Sequence, residues 1–185
     1  MRYEFREALS SEDFEGVRRL NHRVFAEEIG QHEAQPNGLL RDGFEDKSRF
    51  WLALRGRQVV GMVAVHDQPP YSIEKRLADP SVLATIEGRK LEVRLLAVEP
   101  GHRNRMVFAG LLGHMIVDAM QGGYDVLLIS GVAERAEMYH RMGFVDMGPA
   151  RKEGAALFIP MMLRVAKLSE EIQRNLALWR RRTGV

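Results

Sequence analysis

A chain of 185 residues has room for one hydrophobic core of ordinary size, and 45% apolar with 28% charged residues is the balance of a globular protein. A net charge of +2 supplies no field for gripping a nucleic-acid backbone, and no apolar run approaches the roughly 18 residues that cross a bilayer. The absence of cysteine excludes disulfides, thiolate metal sites and a cysteine nucleophile, and the acidic opening MRYEFREALSSEDFEG is unlike a secretory leader, so a cytoplasmic location is expected.

Residues 2–8 alternate apolar and polar and predict a first strand. Ser10 and Ser11, followed by Glu12 and Asp13, supply an N-cap and an acidic first turn. Phe14, Val17, Leu20, Val24 and Phe25 then recur at helical spacing, which predicts one amphipathic helix over 12–29. Residues 30–47 carry Gly, Pro, Asn and many charges and read as a long loop, of a length that belongs to functional or mobile connections. RFWLALR at 49–55 and QVVGMVAVH at 58–66 form a hairpin through Gly56 and Arg57.

Residues 69–88 are polar and Pro-punctuated, with one short helix expected among irregular chain. LEVRLLAV at 91–98 is an apolar strand stopped by Pro100 and Gly101, and residues 105–121 have the spacing of a helix closed by Gly122 and Gly123. Residues 124–130 are a buried strand, 133–142 a short helix ended by Gly143, and 144–147 and 156–164 a final strand pair. A C-terminal amphipathic helix is expected over 165–182, where Arg174, Arg180, Arg181 and Arg182 gather. No repeat or linker interrupts this order. Strand–helix–strand units among hairpins predict one α/β domain over 1–185, a mixed sheet with helices on both faces.

Two stretches carry chemistry. In LEVRLLAVEPGHRNRMVFAGLL at 91–112, a strand ends in a Pro-Gly turn and a helix begins at once. Free backbone N–H groups and a helix dipole then converge on one spot suited to phosphate, with Arg103 and Arg105 adding charge; solvated arginines on an ordinary turn are the plain alternative. In AERAEMYHRMGF at 133–144, Tyr139 sits on a short helix just before Gly143 and Phe144, where a phenol could protonate a leaving group. A core tyrosine with its hydroxyl at the surface is the plainer reading of that stretch alone.

Together the stretches resemble the GNAT acyltransferase superfamily. Val98, Pro100, Arg103, Arg105, Val107, Leu111 and Leu112 fit its V-x-P-x-x-R-G-x-G-I-G phosphate loop and following helix. Ala136, Met138, Tyr139, Arg141, Gly143 and Phe144 fit its later A-x-x-[FLM]-Y-x-[KR]-x-G-F motif. The resemblance implies a mixed, mostly antiparallel sheet with a splayed central strand pair, whose gap admits a pantetheine arm. It implies that the backbone of Leu96, Ala97 and Val98 binds that arm. The amides of Arg103, Asn104, Arg105, Met106, Val107, Phe108 and Ala109 would hold the donor's phosphate, and Tyr139 would protonate the departing thiolate.

Asn104, Met106 and Phe108 stand where the family loop carries glycines, which keeps the amides but crowds a diphosphate. A narrower resemblance joins the chain to the N-acyl amino acid and acyl-homoserine-lactone synthases. Val24, Phe25 and Glu28 fit their R-x-x-V-F-x-x-E helix, Asp42, Phe44, Glu45 and Phe50 their D-x-F-D-x-x-x-x-[YF] segment, and Val60 with Gly61 the V-G that follows. Glu92 fits their E-x-x-R-[FL] strand, but Leu95 occupies the arginine position and Arg94 comes one place early.

Glu92 lies inside an apolar strand, an environment that tunes a carboxylate toward general base for an attacking amine. A plain ion pair with Arg94 on the same strand face is its alternative. The acids of 42–46 offer a cationic acceptor a site, or a solvated loop. The expected function is N-acyl transfer to a small-molecule primary amine. The donor would be acetyl-CoA, a longer acyl-CoA or the phosphopantetheine of acyl carrier protein, with no metal. Acyl carrier protein and a second copy of the chain are candidate partners. The alternatives are an acetyl-CoA-dependent protein or peptide N-acetyltransferase and a GNAT-fold sensor that binds pantetheine without turnover.

Overall fold

The computed structural model describes residues 3–183. Arg2, at which the expected first strand begins, lies outside them. The chain is mixed α/β, with an eight-stranded, mostly antiparallel sheet. It divides into two compact units: Met1–His66 with Arg94–Ile116, and Asp67–Val93 with Val117–Val185.

In the first unit β1 (Glu4–Glu7) pairs antiparallel with β2 (Arg49–Arg55), which turns at Gly56 into β3 (Gln58–His66). Gly56 has a φ of 62°, the left-handed backbone that a tight turn needs and only glycine adopts without strain. Helix α1 (Ser11–Asn21) starts where its cap chemistry dictates. Ser10 Oγ accepts the Asp13 N–H at 3.1 Å, and the Asp13 carboxylate accepts the Ser10 N–H at 3.0 Å. Arg6 adds two hydrogen bonds to the same carboxylate, and the guanidinium holds the Asp13 carboxyl far below the ordinary range. Val17, Leu20, Val24 and Phe25 pack on Phe50, Leu52, Leu54, Val59 and Met62, so the predicted apolar stripe is the core face.

The single α-helix expected over 12–29 does not persist. After Asn21 the chain widens into a π-helix, His22–Glu28, in which the Ile29 N–H reaches back five residues to the Val24 carbonyl. His22 is buried there and its Nε2 accepts the Gln35 N–H at 2.8 Å, tying the following loop to the wide turn.

Strand β4 (Lys90–Val98) passes from one unit to the other. In the second unit it runs parallel to β5 (Val126–Val132), which sets Val126–Ile129 against Lys90–Val93. Two residues later Leu95 has a φ of 51°, an uncommon left-handed conformation for a leucine that interrupts the regular pleat.

Beyond β4 a 3₁₀ turn (Pro100–His102) leads into the next long helix. The region expected to hold one short helix contains two, a 3₁₀ turn Ser72–Arg76 and α2 (Val82–Thr85). Helix α3 (Arg105–Gln121) matches its expected bounds. Helix α4 (Ala136–Met142) closes on Gly143 at φ 106°, and β6 (Val145–Asp146) pairs with β8 (Ala156–Arg164). Strand β7 (Arg151–Glu153) is an addition, a charged edge strand that pairs with β8 through Gly154. Helix α5 (Glu170–Thr183) begins later than expected because Val165–Lys167 form a separate 3₁₀ turn.

Candidate active site

In the first unit, the turn from β4 to α3 carries the residues expected to hold a phosphate. Its N-terminal amides are already partly occupied. Asn104 Oδ1 accepts the Met106 and Val107 N–H groups at 3.0 and 3.1 Å, and the Asn104 carbonyl accepts the Phe108 N–H at 3.2 Å. Asn104 is thus the helix N-cap, a role its side chain performs at a glycine position of the family loop. Its amide donates to the Tyr3 hydroxyl, which also meets His102 Nδ1 at 3.0 Å. Met106 is exposed and Val107 buried, so successive side chains of the first turn point to solvent and to core.

Arg103 is engaged too. Its Nε donates to the Val98 carbonyl at 3.0 Å, and its two terminal nitrogens grip Glu28 at 2.7 and 2.5 Å. The guanidinium holds the Glu28 carboxyl below its ordinary range. Glu99, four residues before Arg103, pairs with Arg23. Arg23 and Glu28 are five residues apart, near one turn of the π-helix, which is why both reach the β4–α3 turn.

On the same unit Arg94 and Asp42 form a two-pronged pair at 2.5 and 2.8 Å, with both side chains mostly buried. Asp42 also accepts the Phe44 N–H at 3.0 Å, and the Arg94 guanidinium lies 4.3 Å from the centre of the Phe44 ring. The ring of the buried His66 stacks on Phe44 at 5.4 Å. The arginine of one motif therefore meets the aspartate of the other despite its one-residue offset. Glu45 faces Arg18 and Arg41 instead, so Asp42 and Glu45 are held by arginines while Asp46 stays exposed beside Arg41.

In the second unit Glu92 is completely buried. Arg94 gives its fork to Asp42. Glu92 accepts the Ser72 N–H at 2.7 Å, the Ser72 hydroxyl at 2.8 Å and the Ile73 N–H at 2.7 Å. Both carboxylate oxygens are thus engaged at the start of the Ser72–Arg76 turn, an arrangement that anchors a loop and leaves neither oxygen open toward solvent. From that turn the buried Arg76 donates to Ser130 at 3.1 Å and pairs with Glu153. Ser72 and Arg76 lie in a polar stretch with no periodicity, and nothing in the sequence singles them out.

Tyr139 is half-buried on α4. Burial pushes its phenol up, opposed by a backbone hydrogen bond with Val132, so the hydroxyl carries its proton at neutral pH. The ring passes over Gly131 of β5, where a β-carbon would lie 2.8 Å from two ring atoms. It meets Phe144 edge-on at 6.2 Å. Among the described residues no group of three or more His, Asp or Glu is placed to hold a metal ion.

A family model described as an acetyltransferase (GNAT) domain matches residues 20–113, just over half of the chain. The chain belongs to that family. No curated protein matches this GNAT chain by sequence. Among solved structures it is similar to FeeM, an N-acyl amino acid synthase from uncultured soil microbes. That match has a TM-score of 0.73 and 17% identity, over 94% of this chain and 98% of the other. The acyl-homoserine-lactone synthase LasI gives 0.72 at 17% identity, over 95% and 94%. BjaI, a CoA-dependent acyl-homoserine-lactone synthase solved with SAM and isopentyl-CoA, gives 0.69 at 21% identity, over 95% and 84%. At these identities the likeness establishes the fold.

Proposed function

We propose that this GNAT protein moves an acyl group from a phosphopantetheine thioester to the primary amine of a small molecule. The observation that carries the reading is the Asp42–Arg94 pair. It joins the two segments that resemble the N-acyl amino acid and acyl-homoserine-lactone synthases, and it places a buried, aromatic-backed ion pair on the strand that leads to the phosphate turn.

The chemistry follows from the groups at hand. The neutral amine attacks the thioester carbonyl, a C–N bond forms, and the carbonyl π electrons move to oxygen. Collapse breaks the C–S bond, and the leaving sulfur takes the Tyr139 proton. Tyr139 is held protonated by burial, as this step requires. The amine's surplus proton passes to solvent or, through the Ser72 hydroxyl, to Glu92, and Tyr139 regains its proton from solvent. Leu96, Ala97 and Val98 supply backbone groups for the pantetheine arm. The turn from Arg103 to Ala109 receives a phosphate.

Because Met106 and Phe108 carry side chains where glycine would admit a diphosphate, the donor with a single phosphate, acyl carrier protein, is favoured over coenzyme A. Thiol-release assays test this. Acetyl-CoA, a long-chain acyl-CoA and the same acyl group on carrier protein are each offered with pooled amino acids and amines. Thiol release with a small amine supports the reading. Release only with peptide amines supports the protein acetyltransferase, and no release with any donor supports a binding domain without turnover.

A further inference from the structure

The two ion pairs at the β4–α3 turn have a consequence for donor binding that rests on the proposed placement of phosphate there. Arg103 brings a guanidinium to the turn, yet three of its five N–H bonds are committed, one to the Val98 carbonyl and two to Glu28. The pair is at the surface, with about two-fifths of each side chain exposed, so it adds little to folding stability. Glu28 reaches Arg103 because the π-helix carries it there. Asn104 meanwhile holds two of the amides that would join Arg103 in greeting an anion. The turn is closed upon itself by one carboxylate and one amide oxygen, each standing where a phosphate oxygen would otherwise be received.

We propose that Glu28 is a charge gate on the donor site: its carboxylate occupies the fork of Arg103 and must yield when a donor phosphate arrives. Glu28 accordingly sets donor affinity without touching the acyl group or the amine. The phosphate and Glu28 compete for the same N–H fork, and where they do not exclude each other their like charges repel across it. The gate also bears on which donor is used. A donor must bring enough binding elsewhere, through its arm or through a carrier protein, to offset opening the pair.

The test is a double-mutant cycle read by calorimetric binding of coenzyme A and, separately, of 4′-phosphopantetheine, with thermal melts to verify folding. Glu28→Gln keeps the shape and removes the charge, and is expected to lower Kd for both probes by about two- to fivefold, the size of one exposed charge interaction. Arg103→Ala is expected to weaken binding, and in that background Glu28→Gln is expected to change nothing. If Glu28→Gln leaves Kd unchanged or raises it while Arg103→Ala weakens binding, the gate is wrong and the phosphate site stands. If Glu28→Gln tightens binding equally without Arg103, the effect is general charge and the gate is wrong again. If neither substitution alters Kd, phosphate does not bind at this turn, and the proposed donor placement falls with the gate. An effect on coenzyme A alone assigns the gate to its nucleotide phosphates, and an effect on both assigns it to the phosphate that the two probes share.

Discussion

The carboxylate of Glu92 and the first residue of the Ser72–Arg76 turn are joined twice, through the Ser72 amide at 2.7 Å and the Ser72 hydroxyl at 2.8 Å. The two uses of such a carboxylate make different demands. An anchor needs all its donors, whereas a base needs one oxygen, or one exchangeable proton, that leads to the substrate. Of the Ser72 and Ile73 donors only the hydroxyl can readily pass a proton on, so Ser72→Ala separates the roles. Losing that bond while keeping both amides is expected to cost about 1–3 kcal/mol of stability. Glu92→Gln turns an amide NH₂ against backbone donors in a sealed site and is expected to cost about 3 kcal/mol or more. As an anchor, Glu92 leaves the pH profile of kcat in Ser72→Ala unchanged well below the melting temperature. Loss of the acidic limb of that profile would give Glu92 the base role, relayed by Ser72.

Tyr139→Phe is expected to keep donor binding and to slow turnover by about 10²–10⁴-fold, the range of a lost general acid. The hydroxyl acts only as the thiolate leaves, so Kd for coenzyme A should stay within about twofold of the parent. Unchanged kcat would assign the leaving-group proton to water.

Much of the architecture is legible in the sequence because it rests on periodicity and punctuation. The strand at 91–98, its Pro-Gly stop and the helix at 105–121 follow from apolar runs and turn residues, and the Ser10–Asp13 cap follows from residue type and spacing. The rest depends on facts no local pattern carries. The π-helix keeps the same apolar residues as an α-helix while adding one residue to a turn, so the meeting of Glu28 with Arg103 stays hidden. Leu95 is an ordinary strand residue by propensity, and its left-handed φ shows only in three dimensions. The partner of Glu92 lies twenty residues upstream in a polar stretch, where burial and not sequence pattern selects it. Arg94 looks misplaced by one residue until Asp42 is seen facing it.

The His114 ring stacks between Phe5 and Trp51, at 5.7 and 5.1 Å, and burial lowers its pKa. A histidine whose folded value lies below its unfolded one resists protonation only when folded. Its contribution to stability is therefore whole above the ordinary histidine value of about 6.5 and is lost as pH falls through that value toward the lower folded one. The melting temperature is expected to drop between about pH 7.5 and 5.5, and the drop to shrink in His114→Gln. In a Trp179→Phe background Trp51 is the single tryptophan, and its emission should titrate at a lower pH than the one at which the melting temperature begins to fall. An equal fall in melting temperature in the parent and in His114→Gln would mean that His114 takes no part in the acid response.

Gly131 offers the sharpest test that the position of Tyr139, and not merely its presence, matters. A β-carbon at residue 131 would stand 2.8 Å from Cδ2 and Cε2 of the Tyr139 ring and 3.1 Å from the Met161 sulfur, closer than such atoms pack. Gly131 is in a strand and its φ is not left-handed, so alanine meets no backbone penalty there. The conflict falls on side chains. The tyrosine ring can swing and the methionine can repack, which makes the stability cost modest, about 1–2 kcal/mol. The hydroxyl, however, is moved off its line, and an error of about 1 Å at a reacting group costs about 100-fold in rate. Gly131→Ala is therefore expected to fold, to bind coenzyme A as the parent does, and to lose kcat by about 10- to 100-fold. The double variant Gly131→Ala with Tyr139→Phe should be no slower than Tyr139→Phe alone, since the displaced group is already gone. Additive losses in that pair would show that Gly131 serves the reaction through something other than the tyrosine.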